Sequence, residues 1–234
     1  MRKQIVRMPK LVDKRVVIHE SLPIGILLAM AGGFLDVYTY LFHGEVFASM
    51  QSGNVILLGV SVAQGKFHLV VRYLVPITIF MVGIFATDLL KHKFPRRHFL
   101  IWQNAAVIIE MTGVFFVGLW AHHASNLVIN SALSFFAAIQ YAAYRRLAGL
   151  PYATTMTTGN LRSIADYIYG HFFTKDPTAS FKIKYTSVIV AGFFGGAVLS
   201  TLLAPFFKGR SIWCVSLLLL AVLVISLQNQ EREG

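Results

Sequence analysis

A single cysteine, Cys214, stands among the 234 residues. The chain therefore closes no internal disulfide and builds no cysteine-based metal site. Charged residues make up only 13% of it, about half the share usual in soluble domains. Acidic residues are the scarcer sign: ten Asp and Glu face 21 Lys and Arg, a net charge of +11. The chain has no Gly-x-Ser-x-Gly, no His-Glu-x-x-His and no phosphate-cradling glycine loop, and its eight histidines lack ligand spacing. These absences argue against hydrolase, zinc and nucleotide chemistry. The expectation is a protein that is not an enzyme and needs no metal or cofactor.

What the chain does have is apolar length. Apolar residues are 56% of the total and mean hydropathy is +0.64. Several runs reach the ~20 residues that cross ~30 Å of hydrocarbon. The basic residues sit in short segments between these runs, the pattern of cytoplasmic loops beside anionic lipid rather than of a nucleic-acid surface. The lipid bilayer is thus the first partner, and nucleic acid is not one.

Taken in order, residues 1–20 carry six Lys/Arg and read as a cytoplasmic tail. Ser21 and Pro23 then make a helix opening, a cap followed by a proline whose missing N–H costs nothing. The first span covers 22–42. It continues well past Ala29-Met30-Ala31, so it reads as a retained membrane helix and not a cleaved leader. Further spans are expected at 69–90 (with Pro76 as a kink), 99–120, 127–144, 185–206 and 211–228. Basic or polar connections lie at 91–98, 145–150 and 208–210, and an uncharged one at 121–126. Gly25, Ala29, Gly32 and Asp36 form a small-residue face, as do Gly192, Gly196 and Ser200; such seams admit a close helix neighbour and are candidate homodimer surfaces.

The chain also says one phrase twice. Phe47-Ala48-Ser49-Met50-Gln51-Ser52-Gly53-Asn54 and Ala153-Thr154-Thr155-Met156-Thr157-Thr158-Gly159-Asn160 align at an offset of 106, as do Tyr38 with Tyr144 and Leu41 with Leu147. Ser49 falls on Thr155 and Ser52 on Thr158, so hydroxyl positions match too. Each copy opens a short apolar stretch of about 11 residues, 54–64 and 160–170. Eleven helical residues cover ~16 Å, half the hydrocarbon thickness. A repeat this long in a membrane protein indicates two fused halves: repeat 1 over 21–124 and repeat 2 over 125–230.

Charge placement chooses between topologies. If both short segments cross, eight spans result, with 13 Lys/Arg inside and 8 outside. If both are re-entrant, six spans result, and only Lys66, Arg72, Lys208 and Arg210 lie outside, leaving 17 of the 21 inside. The positive-inside rule selects the second arrangement. The sequence thus predicts an all-α polytopic membrane protein with about six transmembrane helices, two short re-entrant or broken helices and two pseudo-symmetric, inverted repeats. Both termini are cytoplasmic and the location is the cytoplasmic membrane.

Irregular backbone at membrane depth must face protein or a wet cavity. Ser and Thr hydroxyls before Gly-Asn suit that demand, capping a short helix whose N-terminal dipole end favours an anionic or carbonyl-bearing solute. Ser52, Gly53, Asn54, Thr158, Gly159 and Asn160 are the candidate substrate-binding residues; the alternative is that they satisfy one another and hold the halves together. Carboxylates inside spans are costly, and Asp36 and Glu110 are the candidates for proton coupling. Arg162 and Asp166 lie four apart and read as a local ion pair. By the phrase offset, Ala142 is the counterpart of Asp36.

Gly33-Phe34-Leu35-Asp36-Val37-Tyr38, the first phrase, the Gln140 region and Met156-Thr157-Thr158-Gly159-Asn160 together resemble the YoaK-type bacterial membrane proteins of unknown function. Tyr141 departs from that pattern, in which Gln-Asn is usual. The resemblance implies a polytopic inner-membrane protein and brings no established activity. The function expected from the residues is a transporter or channel for a small solute, anionic by the helix-end argument, with its site at the repeat interface. A non-transporting membrane scaffold or sensor that binds a partner protein is the alternative.

Overall fold

The computed structural model describes residues 20–93, 102–121, 123–147, 150–155 and 157–231. Among these residues eight helices follow one another: α1 (Leu22–Phe42), α2 (Gln51–Ala63), α3 (Phe67–Lys93), α4 (Trp102–Trp120), α5 (Asn126–Ala143), α6 (Thr157–Phe172), α7 (Ala179–Phe207) and α8 (Trp213–Glu231). A 3-10 turn, Lys208–Ile212, joins the last two. Between α5 and α6 lies a two-residue antiparallel ladder, β1 (Arg146–Leu147) with β2 (Leu150–Pro151), which an all-helical reading does not anticipate.

Among the described residues, five helical segments are long and apolar enough to cross a bilayer. The last of them, Ala179–Gln228, is 50 residues long because it takes in α7, the 3-10 turn and most of α8. At 1.5 Å per residue, fifty residues extend ~75 Å, more than twice the ~30 Å hydrocarbon core. The reversal at Lys208, whose φ is +48°, splits them into two spans.

Local chemistry sets the ends. Pro23 sits in the first turn of α1 after Ser21, where no amide is needed. Ser125 caps α5 by accepting from the Val128 amide at 3.4 Å. Gly44 at φ +83° and Glu45 at +59° turn the chain out of α1, and Gly65 at +69° turns it from α2 into α3.

The helices interlock. α1 packs on α7 and α5 packs on α3, so the first helix of each half lies against the third helix of the other. α2 lies on α3 as α6 lies on α7, and α4 contacts α5 as α8 contacts α1. Hydrogen bonds fix directions. His43 Nδ1 meets Asn126 Oδ1 at 3.0 Å, Asn130 Nδ2 donates to the His43 carbonyl, and Gln140 Nε2 donates to that of Leu28, so α1 and α5 run antiparallel. Ser226 Oγ donates to Asn104 Oδ1, Ser216 Oγ to the Met111 carbonyl and Trp213 Nε1 to the Phe115 carbonyl, so α4 and α8 are antiparallel as well. α1 and α7 are parallel: Leu22 and Ile26 cluster with Tyr185 and Ile189 near their starts, and the Tyr38 hydroxyl donates to the Gly209 carbonyl beyond the end of α7.

The second small-residue seam, at Gly192 and Gly196, packs within the chain on Ile26, Ala29 and Met30 of α1, whereas Gly32 and Asp36 of the first face the two repeated phrases. A Cβ on Gly196 would overlap the Met30 carbonyl, one on Gly33 the Phe193 carbonyl, and one on Gly192 would lie 3.1 Å from the Ile26 carbonyl. Glycine lets the two backbones touch there, the close packing that small residues provide in lipid.

Several expected limits shift. α3 continues through Lys93 and α7 begins at Ala179, six residues before the expected start. Residues 94–101, Met156 and the tail 1–19 lie outside the described residues.

Candidate functional site

The two copies of the repeated phrase meet, with Ser49 of the first in contact with Thr155 of the second and both lining one cavity. In each, the Asn three residues into the short helix clasps the backbone seven residues earlier. Asn54 Nδ2 donates to the Phe47 carbonyl at 2.7 Å, and its Oδ1 accepts from the Phe47 amide at 2.9 Å. Asn160 makes the same pair with Ala153, at 2.9 and 3.3 Å. A carboxamide matches the backbone donor and acceptor of one residue, so it closes a segment that has no ladder or helix of its own.

Both short helices start three residues earlier than expected, at Gln51 and Thr157. α2 has no side-chain cap from its own segment. Its acceptor comes from α1 instead: Asp36 Oδ1 takes the Ser49 amide at 2.6 Å and the Met50 amide at 3.3 Å, and Oδ2 takes the Ser49 hydroxyl at 2.7 Å. A carboxylate placed there satisfies orphan amides and the helix dipole together. Ser49 Oγ also lies 3.1 Å from the Thr155 carbonyl, where the second copy begins. The close approach needs Gly32, since a Cβ there would sit 3.1 Å from both the Thr154 carbonyl and the Thr155 methyl.

Between the phrases lies a cavity of about 420 Å³. Ser49, Met50, Gln51 and Ser52 line it from the first copy, and Thr155, Thr157, Thr158 and Gly159 from the second. Phe80 of α3, Phe193 of α7 and Tyr141 of α5 form an aromatic wall, with the Phe80 and Tyr141 rings 6.0 Å apart. Among the described residues no charged side chain lines it.

Of the six binding candidates, the structure brings Ser52, Thr158 and Gly159 to this cavity. Asn54 and Asn160 are buried in their clasps, and Gly53 faces the Phe47 ring and Met50. Ser49 and Thr155 were visible as matched hydroxyl positions of the repeat. Phe80 and Phe193 carried no local signal, because they arrive from other helices. Tyr141, not Ala142, occupies the cavity side of α5; Ala142 lines a second, charged cavity of about 240 Å³ with Glu20, Asp88, Lys91, Arg145 and Arg146.

The two carboxyl candidates are separate. Glu110 is 1% exposed on α4, with neither oxygen hydrogen-bonded among the described residues, and it does not line the cavity between the phrases. Arg162 and Asp166 form the expected pair at 3.7 Å on the outer face of α6. Among the described residues no group of three His, Cys, Asp or Glu could hold a metal ion.

These features define a class: an all-α polytopic membrane protein whose two short helices open on a shared cavity. The chain belongs to the family described as "Protein of unknown function (DUF1275)", whose pattern matches residues 24–225. It is 24% identical over 208 residues to the UPF0700 transmembrane protein YoaK of Bacillus subtilis (strain 168), a match spanning 85% of this chain and 90% of that protein. No solved structure matches.

Proposed function

We propose that the protein is a carrier or channel for a small solute in the cytoplasmic membrane, rather than an enzyme, and that the solute binds in the cavity between the two phrases. The observation that carries this reading is the cavity itself, which both copies line with hydroxyl and backbone groups and which three aromatic rings wall. Two short helices of 13 and 16 residues, or ~20 and ~24 Å, end there as broken helices end at transporter sites. Six spans in two inverted repeats, with both termini cytoplasmic, complete the proposal. The antiparallel courses of α1 with α5 and of α4 with α8 support inversion, since they are counterpart helices of the two halves. Asp36 is the proposed proton carrier of the first half.

Purified protein in nanodiscs, screened by thermal shift against neutral, cationic and anionic solutes, tests this reading. A solute at a hundred times its Kd raises stability by about 2.7 kcal/mol. The response should disappear in Thr158→Trp, which fills the cavity. If no solute class shifts the melting point while a co-purifying protein does, the protein is a scaffold or sensor and the cavity is not a solute site.

A further inference from the structure

We infer that the outer face of α6 is an interface with a second copy of this chain, matched through Arg162 and Asp166 across a two-fold axis; this rests on the re-entrant placement of α6 proposed above. One side of α6 packs on α7, and Asn160 is its one buried residue. On the other side the Arg162 and Asp166 side chains are 84% and 68% exposed. They lie five and nine residues past Thr157, ~8 and ~14 Å along a helix that starts at mid-membrane. Both fall within the ~15 Å of hydrocarbon on that side, where a charge open to lipid is costly. Their contact, Arg162 Nε to Asp166 Oδ2 at 3.7 Å, is too long for a hydrogen bond. A guanidinium has five N–H donors and a carboxylate about four acceptor sites, so most of the pair's capacity is open.

The other half shows what lipid accepts at the same place. By the offset of 106, Ile56 and Val60 of α2 are the counterparts of Arg162 and Asp166, and Gly59 is that of Ala165. Ile56 and Val60 are exposed as well, so these positions face outward in both halves and the fold needs no charge there. Beside the charged pair, Leu161, Ala165, Ile168 and Phe172 are exposed at a 4-3-4 spacing. That is the seam pattern of two helices packed side by side, and a small residue such as Ala165 within it admits close approach.

The charges choose the occupant. A face with one cation and one anion a helical turn apart is complementary to itself, which is what an isologous dimer requires. A two-fold axis along the membrane normal keeps both copies in the same orientation and sets α6 beside α6. Each Arg162 then lies between its own Asp166 and the partner's Asp166. The four charges sum to zero, and charge-assisted hydrogen bonds across the axis use the open donors and acceptors away from lipid. The outer face of α2, with Ile56 and Val60 in place of the charges, offers no second surface of this kind, so the assembly closes at two.

Disulfide cross-linking in native membranes tests this, with single cysteines in a Cys214→Ser background and copper phenanthroline as oxidant. Ala165→Cys should join two chains at least tenfold more than Gly59→Cys, its counterpart on α2. Adding Arg162→Asp puts like charges on both copies and should lower the Ala165→Cys product at least fivefold. Adding Asp166→Arg as well should restore it. Equal products at positions 165 and 59 would overturn the inference as random collision. So would a product that Arg162→Asp leaves unchanged, the result expected of a purely local ion pair. If Ala165→Cys neither cross-links nor reacts with an impermeant maleimide in opened membranes, the face meets lipid and the dimer alone is overturned. If it fails to cross-link and reacts readily, the face is wet and the re-entrant placement falls with the dimer. Arg162, Ala165 and Asp166 do not line the cavity between the phrases, so its reading as a solute site is tested separately.

Discussion

Ser49 Oγ lies 3.1 Å from the main-chain oxygen of Thr155, the residue that holds its own place in the second copy of the repeat. The same oxygen is 2.7 Å from Asp36 Oδ2. A hydroxyl has one hydrogen, so it donates either to the carboxylate or across to the other half. With Asp36 ionised, the hydrogen goes to Asp36. With Asp36 protonated, the acid donates to Ser49 and the serine hydrogen is released to Thr155. No charged side chain of a packed element acts on Asp36 among the described residues. If Asp36 is the proton carrier proposed above, its proton state sets whether the Ser49 hydroxyl donates across to Thr155.

Asp36→Asn fixes the tied state, because its amide accepts from the Ser49 N–H and donates to the Ser49 hydroxyl. The expected outcome is a folded, monodisperse protein that binds solute and equilibrates it but no longer accumulates it against a gradient in proteoliposomes. Uphill uptake by Asp36→Asn with an unchanged pH dependence would remove Asp36 from coupling. Glu110→Gln would then be the variant to examine.

Asn54→Ala and Asn160→Ala each orphan one backbone amide and one carbonyl of a buried segment. Each should lose about 1–3 kcal/mol per orphaned group, read as a lower melting temperature. Asn54→Ala should lose more, since its clasp is the shorter, at 2.7 and 2.9 Å against 2.9 and 3.3 Å.

Gly195 and Gly196 are neighbours with opposite expectations. A Cβ on Gly195 meets nothing within 4 Å, whereas one on Gly196 overlaps the Met30 backbone. Gly195→Ala should be neutral or gain up to about 1 kcal/mol of helix propensity. Gly196→Ala should cost about 1–3 kcal/mol through overpacking of α1 on α7. Equal melting temperatures for the two variants would contradict the seam.

Cysteines placed singly at Lys93 and Ala124, in a Cys214→Ser background, report topology. Lys93→Cys should react with an impermeant maleimide only after the cells are opened, and Ala124→Cys should react in intact cells. Labelling at position 93 from outside would restore eight full spans and remove the inverted repeat.

Asp176, in the connection before α7, is held down to about 2 from an ordinary 3.8 by the Thr178 hydroxyl, then by Lys182 and by the Thr178 amide. A depressed folded value means that its contribution is complete above the unfolded value and is lost as pH falls from about 4 to about 2. Hydrogen-exchange protection around 178–184, corrected for intrinsic rates, should fall across that window in the native chain. In Asp176→Asn it should be low and flat throughout.

The spans were legible because each needs only length and apolarity, and α1 matched its expected limits because Pro23 and Gly44 are local signals, although the Ser21 side chain does not make the capping bond expected of it. The starts of α2 and α6 were not legible. Ser and Thr before Gly-Asn looked like caps, yet the acceptor for α2 comes from Asp36, 13 residues earlier on another helix. The aromatic wall was equally hidden, since nothing near Phe80 or Phe193 marks it apart from other lipid-span phenylalanines. The repeat revealed Ser49 and Thr155 as a pair of hydroxyl positions, but their contact depends on how the halves face each other.

The interlocking of α1 with α7 also bears on the order in which the protein is made. The ribosome finishes α1 at Phe42 and does not reach Ala179 for another 137 residues, roughly 7 to 27 seconds of synthesis. Throughout that interval the bare glycine flank of α1, with Gly33 and its exposed main chain, has no native neighbour to cover it. Insertion of the first half is therefore provisional, and the protein becomes a single object only when its seventh helix slides into place beside the first.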